Sequence, residues 1–294
     1  MKSKLALGVG LPFLTLLSLC WHYRMLIIPV PMAKFSRLGF SHDSLRKIIA
    51  WWGSKLIFTW GARLHDLGFS MSSIVSFEDG FYRSKDVWRK QPIPEKITYE
   101  FGYPYYCCNK DSRLALNLKS FANMALIPAS IEEKADAEIL AIRSGRCKYG
   151  WKEIEQIEKS IEDKTIMAVQ TEGDFSITYS PNKSINFKEY EAALSKHDET
   201  LIKYHPLDSN RSNALSTMSI QELAVSKIKC LCVYNSTLGL EAITCGIPVT
   251  YYGETPIANL IVADSIHYPL TILPSQDNIQ RMVAACYVCY PLNL

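Results

Sequence analysis

Cationic and hydroxyl side chains recur in the last third of the sequence at a spacing that suits phosphate. Lys203, His205 and Pro206 follow one apolar run, and Ser236 and Thr237 follow another. The second run predicts a buried strand, and a hydroxyl residue after it is a common helix start. Free backbone N–H groups and the positive helix end meet there. The stretch predicts a phosphate-binding site, although the same unit also occurs in α/β proteins that bind nothing.

The helix predicted after these hydroxyl residues is short and carries one acidic side chain. It covers residues 238–245, includes Glu241, and ends at Gly246 with Pro248 behind it. Glycine followed by proline is the usual order of helix-stop signals. A return strand is predicted from Val249, which completes a strand–helix–strand unit.

Two acidic clusters stand where predicted strands end, and they are Glu78 with Asp79 and Glu172 with Asp174. Glycosyl chemistry uses paired carboxylates, one as acid or base and the other as nucleophile or charge stabiliser. A structural interpretation stays open, because an Asp beside Gly is common in turns. Arg83 could hold a carboxylate or phosphate, or form an ordinary ion pair with Glu78 or Asp79.

Strand and helix patterns alternate around these residues. The first half is predicted to contain a strand over 47–53, a helix over 55–67 and a strand over 73–77, followed by a charged helical region over 130–164. The second half is predicted to contain a strand over 165–169, a helix over 187–196 and a strand over 200–204. This alternation predicts an α/β fold of two Rossmann-like domains facing a cleft, at residues 41–160 and 161–294.

The first forty residues are predicted to form a hydrophobic, basic leader. Residues 5–21 are almost wholly apolar, but the run is short for a membrane span and contains Gly8, Gly10 and Pro12. Positive charge concentrates towards this end of a chain whose net charge is +3. That asymmetry favours contact with an anionic membrane surface over nucleic-acid binding.

The nine cysteines predict no disulfide framework. Their number is odd and several lie in apolar runs, which is typical of buried thiols in a reducing compartment. Cys286 and Cys289 have no second Cys or His pair at zinc spacing, so they predict core packing rather than a metal site.

Taken in order, several motifs resemble those of the bacterial capsule polysaccharide β-Kdo transferases. The resemblance covers about residues 47 to 291. Its motifs are Trp52-Gly-x-Lys55, Glu78-Asp-Gly-Phe-Tyr-Arg-Ser84, Gln170-Thr-x-Gly-Asp174-x-Ser176, Lys203-x-His-Pro206, Ser236-Thr-x-Gly-x-Glu241-Ala and Gly246-x-Pro-Val-Thr-x-Tyr-Gly253.

This resemblance implies a GT-B-like fold and a retaining transfer of Kdo from CMP-Kdo, without a metal or other cofactor. Asp174 would be the nucleophile, and Glu78 or Asp79 would handle the proton of the acceptor hydroxyl. The residues implied to bind the sugar or acceptor are Arg83, Ser84, Gln170 and Ser176. Those implied to bind the nucleotide are Lys203, His205, Pro206, Ser236, Thr237 and Glu241.

The resemblance also implies a glycolipid or polysaccharide acceptor and a cytoplasmic enzyme lying peripherally on the inner membrane, in capsule or lipopolysaccharide synthesis. The sequence departs from the family over residues 85–107 and 254–261. Two alternatives therefore stay open. One is a GT-B transferase or epimerase that uses a UDP- or GDP-sugar, and the other is a catalytically inactive assembly subunit.

Overall fold

The computed structural model describes two compact groups of residues. It covers residues 4–9, 25–30, 57–60, 74–79, 81–82, 97–102, 104, 112–147, 150–151, 154, 158–171, 174–178, 189–190, 192, 196, 200–206, 208, 212–260 and 267–290. The first unit is formed by residues 1–80, 88–105 and 290–294, and the second by residues 81–87 and 106–289.

A five-stranded sheet forms the first unit. Its strands are β1 (Lys4–Val9), β2 (Met25–Val30), β3 (Ile57–Trp60), β4 (Ile74–Asp79) and β5 (Ile97–Phe101). They lie in the order β2-β1-β3-β4-β5, and only β5 runs antiparallel to its neighbour. The predicted strand over 73–77 is therefore present as β4.

The structure corrects two expectations for this half of the chain. The segment predicted as a leader contains β1 and β2, and β1 lies inside the sheet between β2 and β3. Strands of parallel sheets are often continuous apolar runs, so such a strand can resemble a leader in sequence. The helix expected over 55–67 is also wrong, because residues 57–60 form β3. The strand predicted over 47–53 lies outside the described residues.

The two faces of the first sheet differ in chemistry. One face is aromatic, with Phe58 and Phe77 in edge-to-face contact at 5.4 Å and Tyr99 packed between Phe77 and Phe101. The opposite face, which we call the polar face, carries five polar side chains whose cross-strand pairing places them together. They are Thr59 of β3, Ser76 and Glu78 of β4, and Thr98 and Glu100 of β5.

A second mixed sheet lies at the centre of the second unit. Its strands are β8 (Thr165–Ala168), β9 (Thr200–Lys203), β10 (Cys230–Val233), β11 (Val249–Tyr251) and β12 (Leu270–Ile272), in the order β12-β11-β10-β8-β9. Only β12 is antiparallel to its neighbour. A short hairpin of β6 (Arg146–Cys147) and β7 (Gly150–Trp151) precedes this sheet. The strands predicted over 165–169 and 200–204 are thus present.

Seven α-helices are described, all in the second unit. They are α1 (Arg113–Asn123), α2 (Ala129–Arg143), α3 (Phe175–Thr178), α4 (Ala214–Thr217), α5 (Ile220–Val225), α6 (Leu238–Thr244) and α7 (Gln276–Tyr287), with 3-10 turns at Lys159–Ile161 and Pro256–Leu260. Of the helix predicted over 187–196, residues 189, 190 and 192 are helical, residue 196 lies in a turn, and the others lie outside the described residues. α7 packs against α1 and α2, so these two helices group with the second sheet although the sequence placed them in the first domain.

Two glycines allow tyrosines to pack closely behind the second sheet. A Cβ atom at Gly239 would lie 2.1 Å from the Tyr251 hydroxyl, and one at Gly253 would lie 2.7 Å from the Tyr234 ring. Both tyrosines are fully buried. The glycines therefore fix how α6 and the end of β11 lie against the core. None of the helices in the described part of the chain is long and apolar enough to cross a membrane.

Candidate active site

The carboxyl ends of four parallel strands meet at one edge of the second sheet. After β8 the chain forms β9 on one side, and it then returns to place β10 and β11 on the other side. The strand order therefore reverses between β8 and β10. In open α/β sheets, ligands bind outside the strand ends at such a reversal. Residues 169–178 follow β8, and residues 234–237 follow β10.

A buried amide pair joins the two strand ends at this reversal. Nε2 of Gln170 donates to Oδ1 of Asn235 at 3.1 Å, and the backbone N–H of Asn235 donates back to Oε1 of Gln170 at 3.2 Å. Both side chains extend this contact to Ser176, since Gln170 Nε2 donates to its hydroxyl and Asn235 Nδ2 to its carbonyl. These bonds satisfy polar groups whose burial would otherwise be costly.

The network ends at Asp174, the predicted nucleophile. One carboxylate oxygen, Oδ1, accepts hydrogen bonds from the backbone N–H of Ser176 at 2.8 Å and from its hydroxyl at 2.7 Å. The Asp174 carbonyl accepts from Ile177 and Thr178, so Asp174 is also the residue on which α3 begins. The partly buried carboxylate is thus held in one orientation at the reversal point. Gln170, Asp174 and Ser176, which were predicted together, lie together.

Lys203 has a different environment from the one expected. Its side chain is 5% exposed, and Nζ donates to the carbonyls of Leu215 at 2.6 Å, Ser216 at 3.2 Å and Met218 at 2.7 Å. An ammonium group has three donors. Here three carbonyls at the end of α4 receive them, so a phosphate contact would need Lys203 to release at least one carbonyl.

His205 and Pro206 follow β9 at the same edge of the sheet. His205 is partly buried and Pro206 is exposed. The His205 carbonyl accepts from the backbone N–H of Asp208, which turns the chain away from the strand. This turn leaves the imidazole at the strand end, where a nucleotide contact stays a prediction.

The helix after β10 begins as the sequence predicts. The Ser236 hydroxyl accepts from the backbone N–H of Leu238 at 3.2 Å, and the Thr237 side chain makes no capping bond. Glu241 lies in the first turn of α6 and is 3% exposed. The helix has only seven residues, so its dipole is small and one of its free N–H groups is already bonded to Ser236.

The carboxylate cluster of the first unit is divided by the pleat of β4. Glu78 pairs with Thr98 and lies on the polar face, whereas Asp79 pairs with Ile97 and occupies a position on the opposite face. Successive residues of a strand alternate between faces. The two acids are therefore not equivalent. Arg83 and Ser84 lie outside the described residues.

Sequence reasoning missed two polar residues that the structure brings to these sites. Asn235 is 5% exposed and bridges β10 to the Gln170 loop, and Glu100 is 2% exposed on the polar face. The position of Asn235 directly before Ser236 was a usable signal, because an amide after a strand often bonds local backbone. Glu100 gave no signal, since its pairing with β4 is not visible in the sequence.

The strand that leads into the site carries two unlike thiols. Hydrogen bonds from the thiol of Cys232 and the hydroxyl of Thr250, with the charge of Lys229, hold the pKa of Cys230 below its usual value, against the effect of burial. The interaction with Cys230, together with burial, raises the pKa of Cys232. Burial, with Glu241 nearby, raises the pKa of Cys245 to about 12.

A groove of about 1030 Å³ lies away from these residues, beside β9. Its walls are mainly apolar and include Ile161, Leu201, Leu215 and Met218, with Glu222 among them. The Glu222 carboxylate is bonded to the backbone N–H of Ser219 as a helix cap. The groove contains none of the predicted site residues, so it is not the candidate site.

Comparison with known structures finds chains of similar fold. Two chains of KpsC from Thermosulfurimonas dismutans match: a β-Kdo 2,7 transferase with a TM-score of 0.58 and 18% identity, and a β-Kdo 2,4 transferase with a TM-score of 0.61 and 16% identity. The fold is that of KpsC. The matches cover 96% and 97% of this chain, and 89% and 91% of the KpsC chains. Comparison with protein-family models and with curated proteins gives no match.

The KpsC fold agrees with the resemblance stated from the motifs. The shared fold is mixed α/β with two sheets, as expected for a Rossmann-like glycosyltransferase. At 16% and 18% identity the likeness concerns the fold. What the chain does has to be argued from its own residues.

Proposed function

We propose that this chain is a retaining β-Kdo glycosyltransferase of the GT-B class, which transfers Kdo from CMP-Kdo to a glycolipid or polysaccharide acceptor. The observation that carries the proposal is the fixed Asp174 carboxylate at the strand reversal of a KpsC-like fold. A nucleophile of this kind must be held in register with the sugar before reaction, because orientation supplies much of the rate.

The proposed reaction has two displacements. The Asp174 carboxylate attacks the anomeric carbon of Kdo, the bond to the phosphate oxygen breaks, and CMP leaves. The acceptor hydroxyl then attacks the same carbon, its proton passes to Glu78, and the bond to Asp174 breaks. Each step inverts the anomeric carbon, so the product retains the donor configuration.

Nucleotide binding is assigned to the edge formed by β9 and β10. His205 would contact the phosphate with Ser236 and Thr237, and Glu241 would support the start of α6. A single phosphate carries little charge, which a histidine and backbone N–H groups can meet without a metal ion. The role of Lys203 is to hold α4 against β9, so its effect on the nucleotide is indirect.

The acceptor side is assigned to Glu78. It is the polar-face member that is only partly buried, whereas the other four are 0–2% exposed. Asp79 lies on the opposite side of the pleat. Arg83 and Ser84 remain proposed contacts of the sugar carboxylate and the acceptor. Peripheral contact with the inner membrane, on its cytoplasmic side, belongs to the same proposal.

A transfer assay with CMP-Kdo and a panel of glycolipid acceptors tests the function. The wild-type chain should form a β-Kdo product, identified by NMR, and Asp174→Asn should lose about 100-fold or more of the rate. Thr171→Val, at an exposed position of the same loop, should retain it. Mass spectrometry of the stalled enzyme should find a Kdo adduct on Asp174.

Nucleotide binding separates this proposal from the alternatives. CMP should raise the melting temperature and UDP or GDP should not. Stabilisation by UDP alone would replace the donor assignment, and an Asp174→Asn variant as active as wild type would remove the nucleophile assignment. Absence of both nucleotide binding and transfer would favour an assembly subunit.

A further inference from the structure

The polar face of the first sheet contains four other polar side chains besides Glu78. Thr59, Ser76 and Glu100 lie side by side on three adjacent strands, because Thr59 pairs with Ser76 and Ser76 pairs with Glu100. Glu78 and Thr98 form the next pair on the same face. A buried sheet face is normally apolar. The opposite face of this sheet follows that rule with its packed aromatic rings, whereas the polar face does not.

Burial varies systematically along these residues. Thr59 and Thr98 are 0% exposed, Ser76 is 1% exposed and Glu100 is 2% exposed, while Glu78 is only partly buried. Glutamate is almost never fully buried unless it is paired. The described polar face therefore has one carboxyl group that is partly exposed, with a second, buried carboxyl group on the adjacent strand.

The hydroxyl groups of the polar face differ in their hydrogen bonding. The Ser76 hydroxyl donates to the carbonyl of Gly102, so its single hydrogen is used. The Thr59 hydroxyl is buried and has no hydrogen-bond partner among the residues that the structure describes. Buried hydroxyl groups are usually bonded to protein or to an ordered molecule. The Ser76 bond therefore ties β4 to the end of β5, and Thr59 has a hydroxyl group that the described residues do not bond.

We propose that Thr98 and Glu100 of β5 are positioning residues for Glu78. Directly paired residues of antiparallel strands have Cβ atoms about 5 Å apart, and diagonal neighbours are about 7–8 Å apart. Thr98 is the direct partner of Glu78, and Glu100 is its diagonal neighbour on the same face. Both are within reach of a glutamate side chain, whose several rotamers would otherwise misplace the carboxyl group.

This inference rests on the proposed function, in which Glu78 takes the acceptor proton. A base must lie within hydrogen-bond reach of the proton that it removes, and a small misplacement is costly. β5 supplies the contacts that hold the Glu78 carboxyl group towards the acceptor. Asp79 pairs with Ile97 instead of Thr98, so the register favours Glu78 for the proton transfer.

Steady-state kinetics test the role. Glu100→Gln and Thr98→Val keep the shape of each side chain, and each should lower kcat by about 10- to 100-fold with the acceptor KM changed less than about twofold. Tyr99→Phe is the matched control, since Tyr99 lies between them in β5 but faces the aromatic side. It should keep wild-type kinetics.

A double variant separates positioning from general loss of stability. If Glu100 acts through Glu78, then Glu78→Gln with Glu100→Gln should be no slower than Glu78→Gln alone, whereas independent effects would multiply. Melting temperatures should stay close to wild type. The proposal is overturned by a fully active Glu100→Gln variant, or by one whose loss of kcat multiplies with that of Glu78→Gln. If Glu100→Gln does not fold, the same comparison is made with Thr98→Val.

One readout does not depend on transfer. In protein labelled with 13C-glutamate, the Glu78 carboxyl resonance, identified by its loss in Glu78→Gln, should move in Thr98→Val and Glu100→Gln but not in Tyr99→Phe. If the wild-type chain transfers no Kdo, the proposed function fails and this resonance alone decides the positioning. An unmoved resonance in both variants overturns it.

Discussion

At the scale of single residues, the site depends on Ser176 as much as on Asp174. Ser176 gives both of its donors to one oxygen of Asp174, and its hydroxyl and carbonyl receive the amides of Gln170 and Asn235. One serine thus connects two strand ends to the proposed nucleophile. The Ser176 hydroxyl therefore orients the Asp174 carboxylate.

Ser176→Ala should therefore reduce activity more than stability. It removes one of two bonds to Oδ1 and leaves Gln170 Nε2 with Asn235 only, at a cost of about 1 kcal/mol in the free energy of unfolding. Loosening the carboxylate should lower kcat by about 10-fold or more. Urea unfolding and transfer kinetics measure the two effects. Equal activity in Ser176→Ala and Thr171→Val would show that the serine does not orient Asp174.

Cys230 should be the most reactive of the described free thiols. Its pKa is lowered mainly by the hydrogen bond from Cys232, then by Thr250, so its thiolate is present at lower pH than in an ordinary cysteine. Alkylation by iodoacetamide, followed by peptide mass spectrometry, should show the rate at Cys230 levelling off below pH 9. Cys245, with a pKa raised to about 12, should stay unlabelled.

Thr250→Val provides the control for that assignment. It removes a hydroxyl 3.3 Å from the Cys230 sulfur and keeps the side-chain shape. The pH at which alkylation reaches half its maximum should rise. An unchanged profile would show that Thr250 does not stabilise the thiolate.

At the residue level, the proximity of side chains was predictable where a motif is local, and their roles stay predictions. Gln170, Asp174 and Ser176 lie within one short loop, so their spacing alone brings them together. Lys203 was predicted as a phosphate ligand because it is a cationic residue close to His205 at a strand end. Its burial against α4 depends on residues 214–218 folding back over β9. Such a return of the chain leaves no mark at Lys203 itself.

At the scale of elements, α6 packs closely against Tyr251 because Gly239 has no side chain. Gly→Ala in a helix interior normally stabilises by about 1 kcal/mol. Gly239→Ala should instead destabilise by about 1–3 kcal/mol, since its methyl group would lie against the fully buried Tyr251. Chemical denaturation gives the sign directly, and a stabilised variant would contradict the packing.

Gly246→Ala gives the comparison at the other end of α6. No atom lies within 4 Å of a Cβ built there, but the residue has φ of +86°. Its cost of about 1–2 kcal/mol should come from the backbone alone. Gly246→Asn, which tolerates this conformation better, should recover part of it, whereas no side chain should recover Gly239.

The buried ammonium group of Lys203 should hold α4 rather than a ligand. Lys203→Met keeps the stem and removes three charged hydrogen bonds, so the free energy of unfolding should fall by about 2 kcal/mol or more. CMP affinity in the folded fraction should change little, measured by calorimetry below the melting temperature. A large loss of CMP affinity with normal stability would show instead that Lys203 contacts the phosphate.

Element prediction failed where two structures share one pattern. An apolar run with a basic flank fits both a membrane-leaning leader and an interior strand of a sheet, and β1 is the latter. The run around β3 was read at helical spacing because four residues are too few to show strand periodicity. By contrast, β8, β9, β10 and α6 were found, since turn and cap residues bound each of them.

At the scale of the whole molecule, β1 and β2 supply two of the five strands of the first sheet. Deletion of residues 1–30 removes β1 and β2 and leaves β3 as an open sheet edge. The shortened chain should aggregate or lose the cooperative unfolding of its first unit, because open edges pair with other chains. Light scattering and hydrogen exchange measure this. Deletion of residues 1–3, which keeps both strands, is the control, and equal behaviour of the two would contradict the sheet.

The α/β class was predictable and the arrangement of the sheets was not. Alternating strand and helix patterns with Gly and Pro stops identify the class. Strand order depends on which apolar runs pair, and the cross-strand pairs that create the polar face join residues such as Ser76 and Glu100, which are far apart in sequence. That is why Glu100 became visible only in the fold.

The strand order of the second sheet has a consequence during synthesis. β8 and β9 are synthesised first and can pair, but the other edge of β8 pairs with β10, which is made later. Asn235, the partner of Gln170, follows it by 65 residues in the sequence. At about 5–20 residues per second that interval is roughly 3–13 s. Throughout it the nascent chain presents an unpaired strand edge and a buried-type amide without its partner. Chaperone demand should therefore peak before β10 is made, and a chain terminated before residue 230 would contain Asp174 without the strand that leads to Asn235.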